Sequence, residues 1–188
     1  MAYKFAAEKA EKLESKDRYD RLQPVQRLSR AGMRPGQQVL DVGAGTGFYS
    51  RAAAEIVGEQ GRVVGTDILP EMLDKAQSLG TPENVSFQLA GESSFPIEDG
   101  RMDWVIMTNL FHELEEPEKF ITEIHRVLKP GGRVYYTDWI PQEEEDGPPR
   151  EHRLDKSVAE EAFARYGLRI LSDGKVGPSH YEIIFEKS

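Results

Sequence analysis

The sequence predicts an α/β fold with a mostly parallel seven-stranded sheet, helices on both faces and an antiparallel last strand. The first observation is that short apolar runs alternate with helical patterns along residues 37–139. This order is typical of parallel strands joined by crossover helices. The second is that two strand-like runs, 169–176 and 180–187, follow with no helix between them. We expect these two to pair in an antiparallel manner.

Five strands are expected in the alternating part of the chain. The run MDWVIMT is almost continuously apolar, which is typical of a strand buried on both faces. Ligands in such sheets bind at the carboxyl ends of the strands, so the polar and glycine-rich residues after each strand are the candidates for a site. The predicted strands cover residues 37–43, 62–68, 84–90, 102–108 and 133–139.

Helices are predicted from capping residues and apolar stripes. Pro70 and Pro117 suit the first turn of a helix, where the missing N–H is not needed. Ser157 followed by Glu160 resembles a capping box that opens a helix ending near Gly167. The predicted helices cover residues 47–57, 70–79, 116–128 and 157–166, after two short helices within 4–31.

Length and charge indicate one soluble domain. The chain has 188 residues and a formal net charge of −9, and we divide it into an N-terminal helical appendage, 1–36, and a core, 37–188. The negative charge argues against binding nucleic acid, since that depends on neutralising phosphates. No run approaches the ~18 apolar residues of a membrane helix, and no signal-like segment begins the chain. A cytoplasmic protein without membrane contact is expected, and a homodimer is compatible with the sequence.

The stretch VLDVGAGTG at 39–47 predicts a nucleotide-binding loop after the first strand. Its G-x-G-x-G spacing differs from the dinucleotide fingerprint, and no lysine follows as a triphosphate loop requires. A nucleoside or zwitterion lying against the glycine backbone is therefore expected. Asp67 lies 22 residues after Gly45 at the end of the second strand, where acidic residues accept hydrogen bonds from ribose hydroxyls. Ile68 and Met72 suit either an adenine wall or ordinary core packing.

Together these motifs resemble the class I S-adenosylmethionine-dependent methyltransferases. VLDVGAGTG is similar to the first motif of that family and VVGTDI to its acidic second motif. FPIEDGRMDWVIMTNLFHEL and RVLKPGGRVYYTDW resemble its stretches around strands 4 and 5. The match covers roughly residues 37–139, and the last two strands also suit the family. The resemblance implies a Rossmann-like fold, S-adenosylmethionine as cofactor and a methyltransferase acting on a small molecule.

The resemblance also implies which residues hold the cofactor. The glycine loop would pass beside the methionine part and the ribose, and Asn109 would lie near the methionine amino group. Where the family often has an acidic residue near the adenine amine, this chain has Gly91. Either Glu92 takes that role or main-chain groups of 91–93 do. The implied cofactor-binding residues are Asp41, Gly43, Ala44, Gly45, Thr46, Gly47, Asp67, Ile68, Met72, Gly91, Glu92, Ser93 and Asn109.

The candidate catalytic residues are His112 and Asp138, which follow or end strands 4 and 5. Methyl transfer from a sulfonium is assisted mainly by alignment, which supplies about 7–11 kcal/mol. A general base is needed only when the acceptor must lose a proton, and histidine titrates closest to neutrality. The alternative for His112 is a histidine that only packs or caps a helix. The alternative for Asp138 is a strand-end carboxylate without a chemical role. No metal site is predicted.

Other functions are compatible with parts of the sequence. A sensor that binds S-adenosylmethionine without catalysis would keep the nucleoside site, whereas a nicotinamide oxidoreductase is disfavoured by the glycine spacing. The absence of cysteine argues against arsenic methylation, which usually holds its substrate on thiolates. Residues 140–153 are either a solvated loop or a lid with His152 and Arg153 facing an acidic acceptor. Arg18 and Tyr19 are candidates to cover the cofactor.

Overall fold

The structure, a computed structural model, describes residues 14–188. Seven strands within those residues form one sheet in the order β3-β2-β1-β4-β5-β7-β6. β7 is antiparallel to both of its neighbours, and the other adjacent pairs are parallel. The predicted fold class is therefore confirmed. The strands are β1 (Gln38–Val42), β2 (Arg62–Asp67), β3 (Val85–Leu89), β4 (Met102–Thr108), β5 (Leu128–Trp139), β6 (Leu168–Val176) and β7 (His180–Lys187).

The helices follow the predicted order. Pro70 and Pro117 each occupy the first turn of a helix, as predicted. The part of the predicted N-terminal helices that falls on residues 4–13 lies outside the described residues. The helices are α1 (Lys16–Leu22), α2 (Pro24–Ala31), α3 (Phe48–Val57), α4 (Pro70–Ser78), α5 (Pro117–Val127) and α6 (Lys156–Arg165), with short 3₁₀ turns at Phe111–Glu113 and Arg150–His152.

Two local boundaries differ from the predictions. The capping box at Ser157 and Glu160 is wrong, because the N-cap is Asp155 in an extended conformation and Ser157 lies inside the first turn. β5 begins at Leu128 rather than at residue 133. Leu128 pairs with Met102 of β4, and the register then shifts before Trp104. The KPGG segment at 129–132 therefore follows the end of α5 and forms the irregular start of β5.

The core lies on both faces of the sheet, and alternate residues of the central strands supply each face. Trp104 and Tyr135 pack in the cluster that α2 and α3 cover. Val105 and Tyr136, their neighbours in sequence, pack in the cluster that α5 and α6 cover. Because both faces are apolar, β4 and β5 carry no solvent-facing side, which explains the continuous apolar run at 102–108. No helix within residues 14–188 has the length and apolar character needed to cross a membrane.

Phe87 of β3 explains two glycines near the start of α3. A Cβ atom added to Gly65 would lie 2.6 Å from the Phe87 ring and 3.0 Å from the Ser50 hydroxyl. A Cβ atom added to Gly47 would also lie 2.6 Å from that ring, and Gly47 has a φ of +80°. Gly47 is thus needed for close packing and for the turn into the helix.

We expect Gly65→Ala to lower the free energy of unfolding by roughly 1–3 kcal/mol, because the methyl group overpacks a filled site. Urea unfolding followed by circular dichroism measures this change. Gly174→Ala is the matched control, since Gly174 also lies within a strand but its nearest neighbour would be 3.6 Å away. Equal losses in the two variants would contradict the packing role of Gly65.

Candidate active site

A cavity of about 590 Å³ opens at the carboxyl ends of the parallel strands. It lies where the strand order reverses, between β1 and β4, the position at which open α/β sheets bind ligands. Most of the predicted site residues meet there. Those that line the cavity are Asp41, Gly43, Ala44, Gly45, Thr46, Asp67, Ile68, Met72, Gly91, Glu92, Asn109 and His112.

Three of the predicted site residues do not line the cavity. Gly47 packs against Phe87 instead. Asp138 is completely buried and reaches the cavity only through the side chain of His112. Ser93 lies next to the cavity-lining residues Gly91 and Glu92 but is not itself part of the wall. Asp138 therefore supports the wall from behind, through His112.

Asp67 ties the glycine loop to the end of β2. The amide of Gly45 donates to its Oδ2 over 2.9 Å, and the amide of Leu69 donates to its Oδ1 over 3.0 Å. Burial raises the pKa of Asp67, and these two hydrogen bonds only partly oppose the effect. A carboxylate has about four lone-pair sites, so each oxygen keeps one acceptor direction for a ligand hydroxyl.

Asp41 forms a second carboxyl group below the loop. It is fully buried, and the hydroxyl of Ser50 donates to its Oδ2 over 2.6 Å. Burial raises the pKa of Asp41 to about 7; the Ser50 hydrogen bond opposes this and the nearby charge of Asp67 adds to it. Two acidic groups in one wall favour a ligand that carries positive charge at this end of the cavity.

The turn after β3 contains Gly91 and Glu92, and both residues line the cavity. The Glu92 Oε1 accepts the amides of Glu115 and Glu116 over 3.0 and 3.2 Å. Those amides belong to the two residues that precede α5, so the Glu92 side chain fixes the entry of the chain into that helix. The Gly91 backbone has no side chain in the way and is the better candidate for contact with a ligand.

Asn109 ends β4 in a left-handed conformation, with a φ of 53°. Its amide donates to the carbonyl of Thr137, which fixes it against β5. Its side-chain Oδ1 is buried and has no hydrogen-bond partner within residues 14–188. A buried acceptor without a partner is rare in folded proteins, and the residue that carries it lines the cavity.

His112 and Asp138 form a buried pair beside the cavity. The Nδ1 atom of His112 lies 2.7 Å from Asp138 Oδ1, and both side chains are at most 2% exposed. Because the carboxylate accepts the Nδ1 proton, the Nε2 atom is left with its lone pair. Glu113 Oε1 is 3.8 Å from Nε2, beyond hydrogen-bonding distance. Burial lowers the pKa of His112, but the hydrogen bond and charge of Asp138 raise it by more, so the net pKa is raised.

The carboxylate of Asp138 is held in place from both of its oxygens. Its Oδ1 also accepts the amide of Trp139, and its Oδ2 accepts the hydroxyl of Tyr136 over 3.3 Å. Tyr136 in turn contacts the hydroxyl of Tyr181. A carboxylate with this many partners fixes the orientation of the His112 ring.

Comparisons with known proteins identify the family to which the chain belongs. The family described as "Methyltransferase domain" matches residues 40–136, just over half of the chain. This chain belongs to the methyltransferase domain family. The structure of a SAM-dependent methyltransferase from Aquifex aeolicus is similar over 98% of this chain and 100% of its own, with a TM-score of 0.92 and 32% sequence identity.

Two curated relatives are similar over shorter stretches. An arsenite methyltransferase of Halobacterium salinarum is 39% identical over 58% of this chain and 29% of its own length. A ubiquinone/menaquinone biosynthesis C-methyltransferase of Haemophilus ducreyi is 38% identical over 55% of this chain and 42% of its own length. The chain thus spans less than half the length of either relative. The class I methyltransferase assignment and S-adenosylmethionine as the cofactor are confirmed by the family and the structural likeness.

The loop after β5 closes one side of the cavity of this methyltransferase domain. Residues 145–148 line the cavity and pack over Trp139, whose ring would lie 2.8 Å from a Cβ atom on Gly147. Arg153 holds the loop from within. Its guanidinium pairs with Glu144 over 2.6 Å and donates to the carbonyls of Ile140, Asp146 and Pro148.

The proposed orientation of Arg153 toward an acidic acceptor is therefore wrong. Its side chain is buried, and its guanidinium lies 4.8 Å from the Trp139 ring. Glu144 belongs to the acidic run that the sequence suggested as a solvated loop. It anchors this loop and also accepts a hydrogen bond from the hydroxyl of Ser179. His152 is not among the residues that line the cavity.

The N-terminal helix α1 contributes to the cavity wall of the methyltransferase domain. Arg18 lines the cavity, and its guanidinium lies 4.3 Å from the Phe48 ring. Tyr19 instead contacts the outer edge of Phe48, with ring centroids 6.0 Å apart. Of the two residues that the sequence suggested as a cover, only Arg18 reaches the cavity.

His180 is a cavity residue that sequence reasoning missed. It begins β7 and pairs with Trp139 across the sheet, which places both side chains at the cavity. The pairing joins residues 41 positions apart, and no local pattern indicates it. Within residues 14–188 no group of three or more histidine, aspartate or glutamate side chains has the arrangement of a metal site.

Proposed function

We propose that this domain transfers a methyl group from S-adenosylmethionine to a small organic acceptor, with His112 taking a proton from the acceptor. The buried pair of His112 and Asp138 at the cavity wall is the observation that carries the proposal. A purely structural histidine at this position would not need a fixed carboxylate on one ring nitrogen and a cavity on the other side. When bound, S-adenosylmethionine supplies an electrophilic methyl group.

The residues that would hold the cofactor fit its chemistry. Asp67 offers one acceptor direction on each oxygen for ribose hydroxyls, and the exposed Ile68 follows it for contact with adenine. Asp41 and the unpartnered Oδ1 of Asn109 suit the cationic amino group. Thr46 donates its hydroxyl to Glu14, which positions the loop.

The acceptor side of the cavity favours an uncharged molecule with apolar surface. Its wall includes Trp139 and Leu114, together with the acidic residues Glu145 and Asp146. Because Arg18 and Arg21 line the same cavity, the wall carries charges of both signs and does not select an ionic acceptor of one sign. The two relatives point to different acceptors, and cysteine content distinguishes them. The chain has no cysteine to hold arsenite, whereas a quinone-like ring needs none.

The proposal has further parts, which concern nucleic acid, location, oligomeric state and domain division. The net charge of −9 disfavours nucleic acid as the acceptor, and a cytoplasmic location and a homodimer remain proposals. The division into an N-terminal appendage and one core is also a proposal. The second candidate function is a non-catalytic S-adenosylmethionine sensor. The pair of His112 and Asp138 disfavours it, since a sensor has no use for a base at the cavity.

Titration calorimetry with S-adenosylmethionine, S-adenosylhomocysteine and NAD tests the cofactor half of this proposal. We expect both sulfur nucleosides to bind and NAD to show no heat of binding, because the loop lacks the dinucleotide spacing. Formation of S-adenosylhomocysteine with a panel of phenols, hydroquinones and amines tests the transfer half. Binding of NAD alone would refute the proposal, and tight cofactor binding without turnover on the panel would favour the sensor.

A further inference from the structure

His180 is buried at the cavity wall without a hydrogen-bond partner. The side chain lines the cavity although the residue is only 2% exposed. Within residues 14–188, neither Nδ1 nor Nε2 has a hydrogen-bond partner. Buried polar side chains almost always have partners, so a histidine with two unsatisfied nitrogens at a cavity indicates that a ligand supplies them.

The ring of His180 is held rigidly in this position. It packs on Trp139, with ring centroids 4.0 Å apart and planes at 38°. Trp139 is itself enclosed by the guanidinium of Arg153 and by Gly147 of the loop after β5. The start of β7 and the loop therefore fix the ring before any ligand arrives, and a fixed group binds with less loss of conformational entropy.

Burial, more than the surrounding charges, keeps the imidazole of His180 neutral. Burial lowers its pKa to about 4; Arg21 and Arg18 of α1 add to this, while Asp138 and Glu144 oppose it. A neutral imidazole has one donor and one acceptor nitrogen. Such a pair matches a hydroxyl, a carbonyl or an amide, and it lacks the charge that a carboxylate or phosphate ligand would require.

We propose that His180 binds the methyl acceptor by hydrogen bonding to an uncharged polar group such as a hydroxyl or carbonyl. The proposal rests on the proposed function, since it assigns a substrate contact in the same cavity. His180 thus has a different task from His112. Asp138, which holds the His112 ring, pairs with Tyr181, the residue next to His180. His112 lies in the 3₁₀ turn after β4 and His180 begins β7, and both line the same cavity. We therefore assign the role of base to His112 and binding of the acceptor to His180.

The test uses small aromatic probes and the domain saturated with S-adenosylhomocysteine. Phenol and benzamide carry uncharged polar groups, and benzoate and benzylamine are their charged counterparts. We expect phenol and benzamide to shift the imidazole ¹⁵N signals of His180 in NMR spectra, and the charged probes to bind more weakly. His180→Phe should weaken phenol binding about tenfold, the loss of one good hydrogen bond.

Two further variants make the result specific. His180→Asn keeps one donor and one acceptor and should retain most of the phenol affinity. His125→Phe removes a histidine that lies on α5 outside the cavity, and should leave phenol binding unchanged. Calorimetry with S-adenosylhomocysteine on each variant shows whether the cofactor site and fold are intact.

The proposal is overturned if phenol binds His180→Phe as well as it binds the wild-type domain, since the ring then serves only to pack on Trp139. It is equally overturned if no uncharged probe binds, or if benzoate or benzylamine binds best. A failure of the proposed function looks different: either S-adenosylhomocysteine does not bind, or it binds and no acceptor of the panel is methylated, whereas the comparison of phenol affinities does not depend on turnover.

Discussion

Asp67→Ala is expected to weaken binding of S-adenosylmethionine by about 100-fold or more. The reason is the loss of a carboxylate with two acceptor directions left for ribose hydroxyls, since hydrogen bonds to charged groups contribute roughly 1.5–3 kcal/mol each. The Gly45 amide also loses its acceptor, so the loop is less ordered before binding. Titration calorimetry measures the change in dissociation constant.

Two variants show whether that loss is specific. Asp67→Asn keeps an acceptor oxygen for the Gly45 amide but loses the charge, and should fall between wild type and alanine. Asp74→Ala removes an exposed carboxylate of α4 outside the cavity and should leave the affinity unchanged. Wild-type affinity in Asp67→Ala would mean that the ribose lies elsewhere in the cavity.

His112→Ala is expected to reduce turnover by about 10²- to 10⁴-fold, the usual contribution of a general base. Cofactor affinity should remain unchanged, because His112 is not part of the loop that holds it. Turnover is measured as S-adenosylhomocysteine formed with an acceptor from the panel. His125→Ala is the control. Retained turnover with intact cofactor binding would remove His112 as the base.

The pH dependence of turnover tests the role of His112 as a base. Burial lowers the pKa of His112, but Asp138 raises it by more, so the folded pKa lies above 6.5. A base must be unprotonated, and the wild-type rate should therefore rise with pH through a value above 6.5. The rate of His112→Ala should not show this rise. Replacement of Asp138 by asparagine should move the His112 titration, followed by NMR, toward lower pH.

The same pair affects stability in the opposite direction. A histidine whose folded pKa is raised binds more protons when folded, so its contribution to stability is present below pH 6.5. That contribution is lost as the pH rises through the folded pKa of His112. We therefore expect the ion pair of His112 with Asp138 to stabilise the fold below the folded pKa of His112, and His112 to act as a base above it.

The cofactor half of the site could be predicted from sequence because it is local. Gly43 and Gly45 lie within one strand-to-helix turn, and Asp67 ends the adjacent strand. The spacing of such segments in a parallel sheet follows from the repeating strand and helix units. The local rule failed at Ser157, because the N-cap of α6 is Asp155, two residues earlier.

The part of the cavity that we propose for the methyl acceptor depends on pairing between strands that are distant in the sequence. Trp139 and His180 meet because β7 inserts between β5 and β6, a register that no local pattern states. Arg153 has the charge of a ligand-binding residue, but the fold directs it inward to Glu144. The Glu92 side chain is likewise bound by the amides of Glu115 and Glu116, just before α5.

The sequence by itself thus determined the fold class and the cofactor, because periodicity and glycine spacing are properties of short segments. The glycine loop as the binding site of the cofactor stays a prediction. The tertiary structure alone decided the surroundings of His112, His180 and Arg153. Their charge states and partners depend on burial and on side chains brought together from distant parts of the chain. These long-range contacts determine what the domain can do with its methyl donor.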